Sequence, residues 1–474
     1  MLEGEDHIQD ECGVVGIYAP GEDVSRLTYF ALLALQHRGQ ESAGIAVSDG
    51  TDIVVYKDMG LVAQVFHDEA ALSSLTGDLA IGHVRYSTTG SSHWDNAQPI
   101  HRDAGKLQVA LAHNGNLVNT MDLAKNLELN RSRRARQTST DSDLVAELIA
   151  RSAKESVEEA ILDTMPKLVG AFTLVMADEK TVFGARDSLG LRPLALGRLI
   201  AGGYVIASET CALDAIGATF IREIEPGEVV AIDANGLRSF SFAEATPKLC
   251  IFEFVYFARP DSNLYGKSVQ RTRFQMGMRL AAEAPVDADL VMPVPDSGRG
   301  AAAGYSQASG IPYGDGLVKN SYIGRTFIQP TQELREQAVG AKLNPIAHMI
   351  EGKRLVVVDD SIVRGTNTRH TVKMLRKAGA REIHMRIASP PIRWPCFYGI
   401  DTANRDELIA SSMSVDEISE HVGADSLAYL SLEGMIDATE VDAQQFCHAC
   451  FSSEYPIPIP DEVKITKNML EQTI

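Results

Sequence analysis

The chain has 474 residues, 45% of them hydrophobic and 23% charged, and a formal net charge of −19 at pH 7. That length predicts two or three domains, no apolar run approaches the ~20 residues that span a bilayer, and the acidity argues against nucleic acid as a partner. The basic cluster Arg131 to Arg136 in "NRSRRARQ" reads as a solvated loop.

Residues 1–11 carry five carboxylates and no Lys or Arg, the opposite of an export or transit leader, which points to the cytoplasm. A small-residue apolar run, "CGVVGI", begins at Cys12. If the leader were removed, Cys12 would carry a thiol and an α-amine of pKa ~7.7–8.0, nucleophile and base in one residue. A small buried cysteine at a strand start is the other reading. Onward to about residue 240 the pattern is of short strands: "GVVGIYA", "GIAVSD", "LQVALAHNG", "AFTLVMAD", "TVFGARD", "YVIASE" and "EVVAID". Amphipathic helices are predicted over Ser25 to Gln36 and around Leu144 to Ala153. Sheets with helices outside follow from that rhythm.

Within this half, "GHVRYST" ends a strand with His83 and Arg85, a guanidinium able to grip a carboxylate with two bonds. "AHNGNL" places Asn114 and Gly115 at a turn where a side-chain amide and a backbone N–H can converge on an oxyanion. "STDSD" offers Asp141 to an ammonium group. Each alone also has a structural reading, as a surface ion pair, a hairpin turn and a helix cap.

The domain boundary is predicted near residues 240–265. From Asp287 the rhythm becomes strand, Gly-rich turn, helix, first in "DLVMPVPDSGRG" and then in "KRLVVVDDSIVRGTNTRHTVKMLRKAGA", as in a parallel α/β sheet. In "VVVDDSIVRGT", Val356 to Thr366, an apolar strand ends in Asp359 and Asp360 and turns into a helix start, where unpaired N–H groups suit a phosphate. The two carboxylates would act through Mg2+ or on ribose hydroxyls. Beyond Ser389 the chain is predicted to be helical, as in "VDEISEHVG" and "SLAYLSLEGMI". Cys250 and Cys396 lie in apolar, aromatic surroundings, and Cys447 and Cys450 form the C-x-x-C pair of "FCHACF". Four thiolates suit either Zn2+ or a [4Fe-4S] cluster. Cys211 is left over as a small core residue.

The ordered set "CGVVGI", "LQHRGQESAGI", "GHVRYST", "AHNGNLVN", "TDSDL" and "RDSLGLRPL" closely resembles the glutaminase half of the N-terminal-nucleophile amidotransferases. "VVVDDSIVRGT" resembles the signature loop of type I phosphoribosyltransferases. Joined in this order, the two sets resemble the glutamine phosphoribosylpyrophosphate amidotransferase family across essentially the whole chain.

The resemblance implies a propeptide at 1–11 and an α+β N-terminal-nucleophile glutaminase domain, an αββα sandwich, over 12–245. An α/β type I phosphoribosyltransferase domain with a helical C-terminal extension would follow over 246–474. It makes Cys12 the nucleophile, Asn114 and Gly115 the oxyanion hole, Arg85 and Asp141 the clamps on the glutamine α-carboxylate and α-amine, and Arg38 a residue that closes the site. For phosphoribosyl pyrophosphate it implies Asp359, Asp360, Ser361, Val363, Arg364, Gly365 and Thr366, with Ser297 joining Asp359 and Asp360 near Mg2+. A flap over Lys319 to Glu336 would bring Tyr322, Arg325 and Thr326 onto the substrate. Lys342 is a further implied contact, whereas Gly340 stands where relatives commonly carry Arg. Of the groups four thiolates suit, the resemblance selects a [4Fe-4S] cluster on Cys250, Cys396, Cys447 and Cys450. The implied reaction makes 5-phosphoribosylamine, the first committed step of purine synthesis, in a cytoplasmic homotetramer inhibited by purine nucleotides. Ammonia would pass between the halves by a shielded path. A sensor keeping only the ribose-phosphate loop and a hexosamine-type glutaminase lacking it are the alternatives.

Overall fold

The computed structural model describes residues 12–86, 93–126, 140–320, 343–400 and 404–460. The leader 1–11, the basic cluster at 131–136, and Tyr322, Arg325, Thr326, Gly340 and Lys342 lie outside the described residues.

The first half runs through β1 (Gly13–Tyr18), α1 (Val24–Ala34), β2 (Ser42–Ser48), β3 (Ile53–Met59), β4 (Leu79–Arg85), β5 (Ile100–Asp103), β6 (Gln108–Leu117), α2 (Asp141–Ala150), α3 (Val157–Thr164), β7 (Gly170–Ala177) and β8 (Val182–Arg186). It continues with β9 (Ala195–Leu199), β10 (Tyr204–Ala207), β11 (Ala218–Glu223), β12 (Glu228–Asp233) and β13 (Gly236–Ser241). The strands form two sheets, ordered β11-β9-β10-β1-β4-β2-β3 and β13-β12-β8-β7-β6-β5. Strand alternation sorts their side chains. Val15 and Ile17 of β1 pack with Val24, Ala31 and Leu32 of α1, while Val14 meets Val175 and Val182 of the other sheet. In β6, Val109 and Leu111 lie under Leu144 of α2 and Ile161 of α3, and Ala110 and Ala112 face the first sheet. The result is four layers, helix, sheet, sheet, helix. Both faces of the central strands are buried, which is why they read as near-continuous apolar runs.

The second half contains β14 (Leu249–Cys250), α4 (Val269–Glu283), β15 (Leu290–Pro293), α5 (Arg299–Ser309), β16 (Arg354–Asp359), α6 (Thr366–Lys377), β17 (Glu382–Ile387), α7 (Val415–Val422), β18 (Ser426–Tyr429), α8 (Leu432–Thr439) and β19 (Phe446–Cys447). Strands β15, β16, β17 and β18 form a parallel sheet in that order. Val291, Val356 and Val358 face α4 and α5 through Met276, Leu280 and Ala301. Leu290, Met292, Leu355 and Val357 face Val372 and Leu375 of α6. Helices α4 and α5 touch backbone to backbone: a Cβ on Gly277 would stand 1.8 Å from Ala301 O, and one on Gly304 1.9 Å from Phe274 O. Among the described residues no helix is long and apolar enough to cross a membrane.

The sequence "SLAYLSLEGMI" corrects the helical expectation. Its first four residues are β18, paired with β17 from His384↔Ser426 to Ile387↔Tyr429, and only Leu432–Thr439 is helical. Four residues are too few for periodicity to decide, and an open sheet edge settles the matter.

Candidate active site

Cys12 immediately precedes β1, whose Gly13 pairs with Val84 of β4, the neighbour of Arg85. The thiol is buried and donates to Tyr86 C=O at 3.4 Å. Burial pushes it up to about 11; the Arg85 charge pulls down, and Glu41 and Asp141 push up. Arg85 is itself buried, 3.9 Å from Glu41. One small volume therefore holds a thiol, a cation and two carboxylates.

Asn114 and Gly115 lie within β6 rather than at a turn, opposite Thr173 and Phe172 of β7. Asn114 is 1% exposed, and its Nδ2 has no hydrogen-bond partner. A buried donor left unmet costs about 1–3 kcal/mol, so its retention marks a place for an acceptor that arrives from outside. Gly115 has φ +146°, and a Cβ there would lie 2.1 Å from Ala171 O, so this close strand contact requires glycine. His83 ties the elements together: its Nε2–H donates to His113 C=O at 3.0 Å, joining β4 to β6 one residue from Asn114. Burial drives His83 down to about 3, leaving a neutral ring.

Asp141 opens α2. Its Oδ2 accepts from Leu117 N at 3.1 Å and its Oδ1 from Ser142 N at 2.8 Å. Burial alone would raise its pKa, but His113 and these N–H groups more than offset that and hold it below the usual carboxylate value. It is a fixed, buried negative charge, as an ammonium site requires.

Arg38 lies directly behind the Cys12 backbone. Its guanidinium is wholly buried: Nε donates to Cys12 C=O at 3.2 Å, Nη1 to Glu209 at 2.6 Å, and Nη2 to Glu253 at 2.7 Å. Two carboxylates hold the fork while its Nε grips the backbone of Cys12.

In the second half, β16 delivers Asp359 and Asp360, buried at 5% and 3%, to a turn that ends at Gly365, φ +82°, the N-cap of α6. Asp360 Oδ1 is buried with no hydrogen-bond partner, an oxygen suited to a cation. The turn carrying Ser297 lies alongside, since Val294 N donates to Val358 C=O at 2.8 Å and a Cβ on Gly298 would stand 2.4 Å from that same oxygen. Ser361 donates to Asp360, and Arg364 pairs with Glu407. Val363 C=O accepts from Ile409 N, which pins the turn, and Thr366 starts the helix.

Cys250, Cys396, Cys447 and Cys450 surround one small cavity with Leu191, Arg192, Tyr398, Ile400, Ala449 and Tyr455. The parallel pairing of β14 with β19 sets Cys250 opposite Cys447. Burial raises Cys250 to about 11 and pushes Cys447 and Cys450 further up. The four sulfurs line one space, a donor set suited to a thiolate-bound metal centre. Cys211 stands apart, buried at the start of a helix, Thr210–Ala215, as a core residue.

Among the buried charges that escaped the sequence reading are Glu209, Glu253 and Arg192. Their signal was present, since a lone Glu in "LCIFEFVYFA" or a lone Arg in "GLRPLAL" cannot be buried without a partner.

The glutamine amidotransferase domain family matches residues 83–215. A Mycobacterium tuberculosis protein named amidophosphoribosyltransferase is 55% identical over 98% of this chain and 90% of its own length. One of the same name from Bacillus subtilis is 47% identical over 97% of each. A solved structure described as the allosteric regulatory enzyme of purine biosynthesis superposes with a TM-score of 0.90, at 46% identity over 97% of this chain and 99% of the other. Another, a glutamine phosphoribosylpyrophosphate amidotransferase from B. subtilis complexed with ADP and GMP, gives 0.88 at 47% identity over 95% and 98%.

Proposed function

The chain belongs to the amidophosphoribosyltransferase family, and from that premise we propose how its residues divide the reaction. The enzyme converts glutamine, phosphoribosyl pyrophosphate and water to 5-phosphoribosylamine, glutamate and pyrophosphate, the first committed step of purine synthesis. Cys12 Sγ attacks the glutamine amide carbon, ammonia leaves, and water hydrolyses the resulting thioester. A thiol near 11 needs a base, and removal of residues 1–11 would supply one as the α-amine of Cys12 itself. Asn114 Nδ2 and Gly115 N–H meet the oxyanion, Arg85 takes the α-carboxylate and Asp141 the α-ammonium. Ammonia then attacks C1 of the ribose as pyrophosphate leaves.

The loop from Asp359 to Thr366 holds the phosphoribosyl group, with Tyr322, Arg325 and Thr326 as flap contacts and Lys342 as a further one. The partnerless oxygen of Asp360 supports Mg2+ at Asp359, Asp360 and Ser297, where the ion would offset charge on the departing pyrophosphate. The ring of four thiols supports a [4Fe-4S] cluster that ties the tail to the domain junction. The ADP and GMP in the B. subtilis structure support purine nucleotides as inhibitors here. A cytoplasmic homotetramer completes the reading.

The observation that carries the glutaminase assignment is the unmet amide donor of Asn114 on β6, which packs across from β1, the strand that Cys12 precedes. The test is Cys12→Ala: glutamine-dependent pyrophosphate release vanishes while release driven by added ammonia persists. Unchanged glutamine use by this variant refutes the assignment.

A further inference from the structure

The reaction leaves several buried carboxylates unused, Glu253 among them. Glu253 opens a short π-helical turn, Glu253–Phe257, and its side chain is fully buried among Ile251, Phe252 and Phe254. Both of its oxygens receive Arg38, at 3.0 Å from Nη1 and 2.7 Å from Nη2. On its other side it lies 3.8 Å from Arg192 Nη1.

We propose that Glu253 is a positioning residue for Cys12: it locks the arginine that grips the nucleophile's carbonyl and links that grip, through Arg192, to the loop supporting the oxyanion strand. The inference rests on Cys12 being the nucleophile. An N-terminal nucleophile is tethered on one side only. Thiol and amine then hang from a single Cα, whose backbone restraints are the start of β1 at Gly13 and the 3.2 Å bond from Arg38 to the Cys12 carbonyl. A guanidinium free to swing would release that carbonyl; the bidentate bond to Glu253, beside the Glu209 contact to Nη1, prevents it.

The far end of the link reaches the other half of the catalytic pair. Arg192 Nη2 donates to Tyr398 C=O at 2.7 Å. In the same loop, Phe397 C=O accepts from Asn116 Nδ2 at 2.9 Å, and Gly399 packs so closely that a Cβ would lie 3.2 Å from Gly115 C. The loop therefore presses on the strand that carries Asn114. Glu253 is rigid because Arg273 donates to three carbonyls of its turn and exit, Phe254 at 2.8 Å, Tyr256 at 2.9 Å and Ala258 at 2.8 Å. Buried ion pairs contribute little net stability, because desolvation offsets their attraction. The geometry they impose is the better account of this one.

Two variants test the proposal, Glu253→Gln, which keeps shape but cannot accept both donors, and Arg192→Lys, which keeps charge but loses the fork. Each is assayed for glutamine hydrolysis, for ammonia-dependent pyrophosphate release and for Tm. A misplacement of about 1 Å costs on the order of 100-fold in rate. Glu253→Gln is therefore expected to lower glutamine kcat roughly 10- to 100-fold, with KM changed less than about threefold and ammonia-dependent synthesis within about twofold of wild type. Arg192→Lys is expected to show the same split at smaller size, and it decides the question if Glu253→Gln does not fold. Glutamine kcat within about twofold of wild type in the folded variants overturns the inference, as does parallel loss of both activities. If the unmodified enzyme makes no pyrophosphate from ammonia, the reading of the reaction fails, and this inference with it.

Discussion

Replacing Asn114 with alanine separates catalysis from folding in a way that few buried substitutions do. The side chain is 1% exposed with an amide donor that meets nothing, so its deletion breaks no protein hydrogen bond through that nitrogen. Burying the unmet donor costs about 1–3 kcal/mol; the alanine variant is spared this and gains a small cavity, a penalty of similar size and opposite sign. Folding stability is expected to stay within about 1 kcal/mol of wild type. Catalysis has no such offset, since loss of one oxyanion donor costs about 2.7–4 kcal/mol, or 10²–10³ in kcat. The assay is glutamate release at saturating glutamine, with ammonia-dependent pyrophosphate release as internal reference and urea denaturation for stability. Glutaminase kcat within about threefold of wild type refutes the oxyanion role. A stability loss above about 2 kcal/mol means that the amide serves the fold.

In chain that keeps residues 1–11, Cys12 near 11 leaves on the order of one thiolate in 10⁴ at pH 7. Its alkylation by iodoacetamide, followed by peptide mass, is expected to rise about tenfold per pH unit up to that value, and to be much faster at pH 8 once the leader is removed; equal rates in the two forms contradict activation by the α-amine. Cys447→Ser is expected to abolish bound iron and the visible absorbance of a cluster while Cys211→Ser retains both, measured on anaerobically purified protein; zinc in place of iron in the wild type refutes the cluster. Gly277→Ala drives a methyl against Ala301 O across the α4–α5 contact, and is expected to cost about 1–3 kcal/mol in urea denaturation; a neutral result means that the helices separate at little cost.

Much of the architecture was legible because chain-local chemistry specified it. The run "GVVGIYA" and the strand-turn-helix at Val356 to Thr366 have periodicity and turn residues that survive burial unchanged. What failed to show was anything settled by partners far along the chain. Asn114 and Gly115 look like a turn because Asn-Gly favours one; pairing with β7 keeps them in a strand. "SLAY" becomes a strand only because β17 offers an edge. The ion pairs of Arg38 were hidden because nothing nearby in sequence reveals Glu209 and Glu253, both over 170 residues away. Cys12, Asn114 and the Asp359–Asp360 pair stood out through the motifs that carry the family resemblance, while the buried ions around them did not.

The short parallel ladder that sets Cys250 against Cys447 imposes an order on the protein's birth. Roughly 200 residues separate these two sulfurs, so at about 5–20 residues per second the first waits some 10–40 s on the ribosome for the second. Two rungs of backbone pairing are too few to persist by themselves, and the waiting thiol has no shelter until the tail arrives. Maturation of this pocket is therefore a late event, set by the last tenth of the chain. A premature stop between residues 246 and 446 leaves the glutaminase half translated in full and the sulfur ring unbuilt.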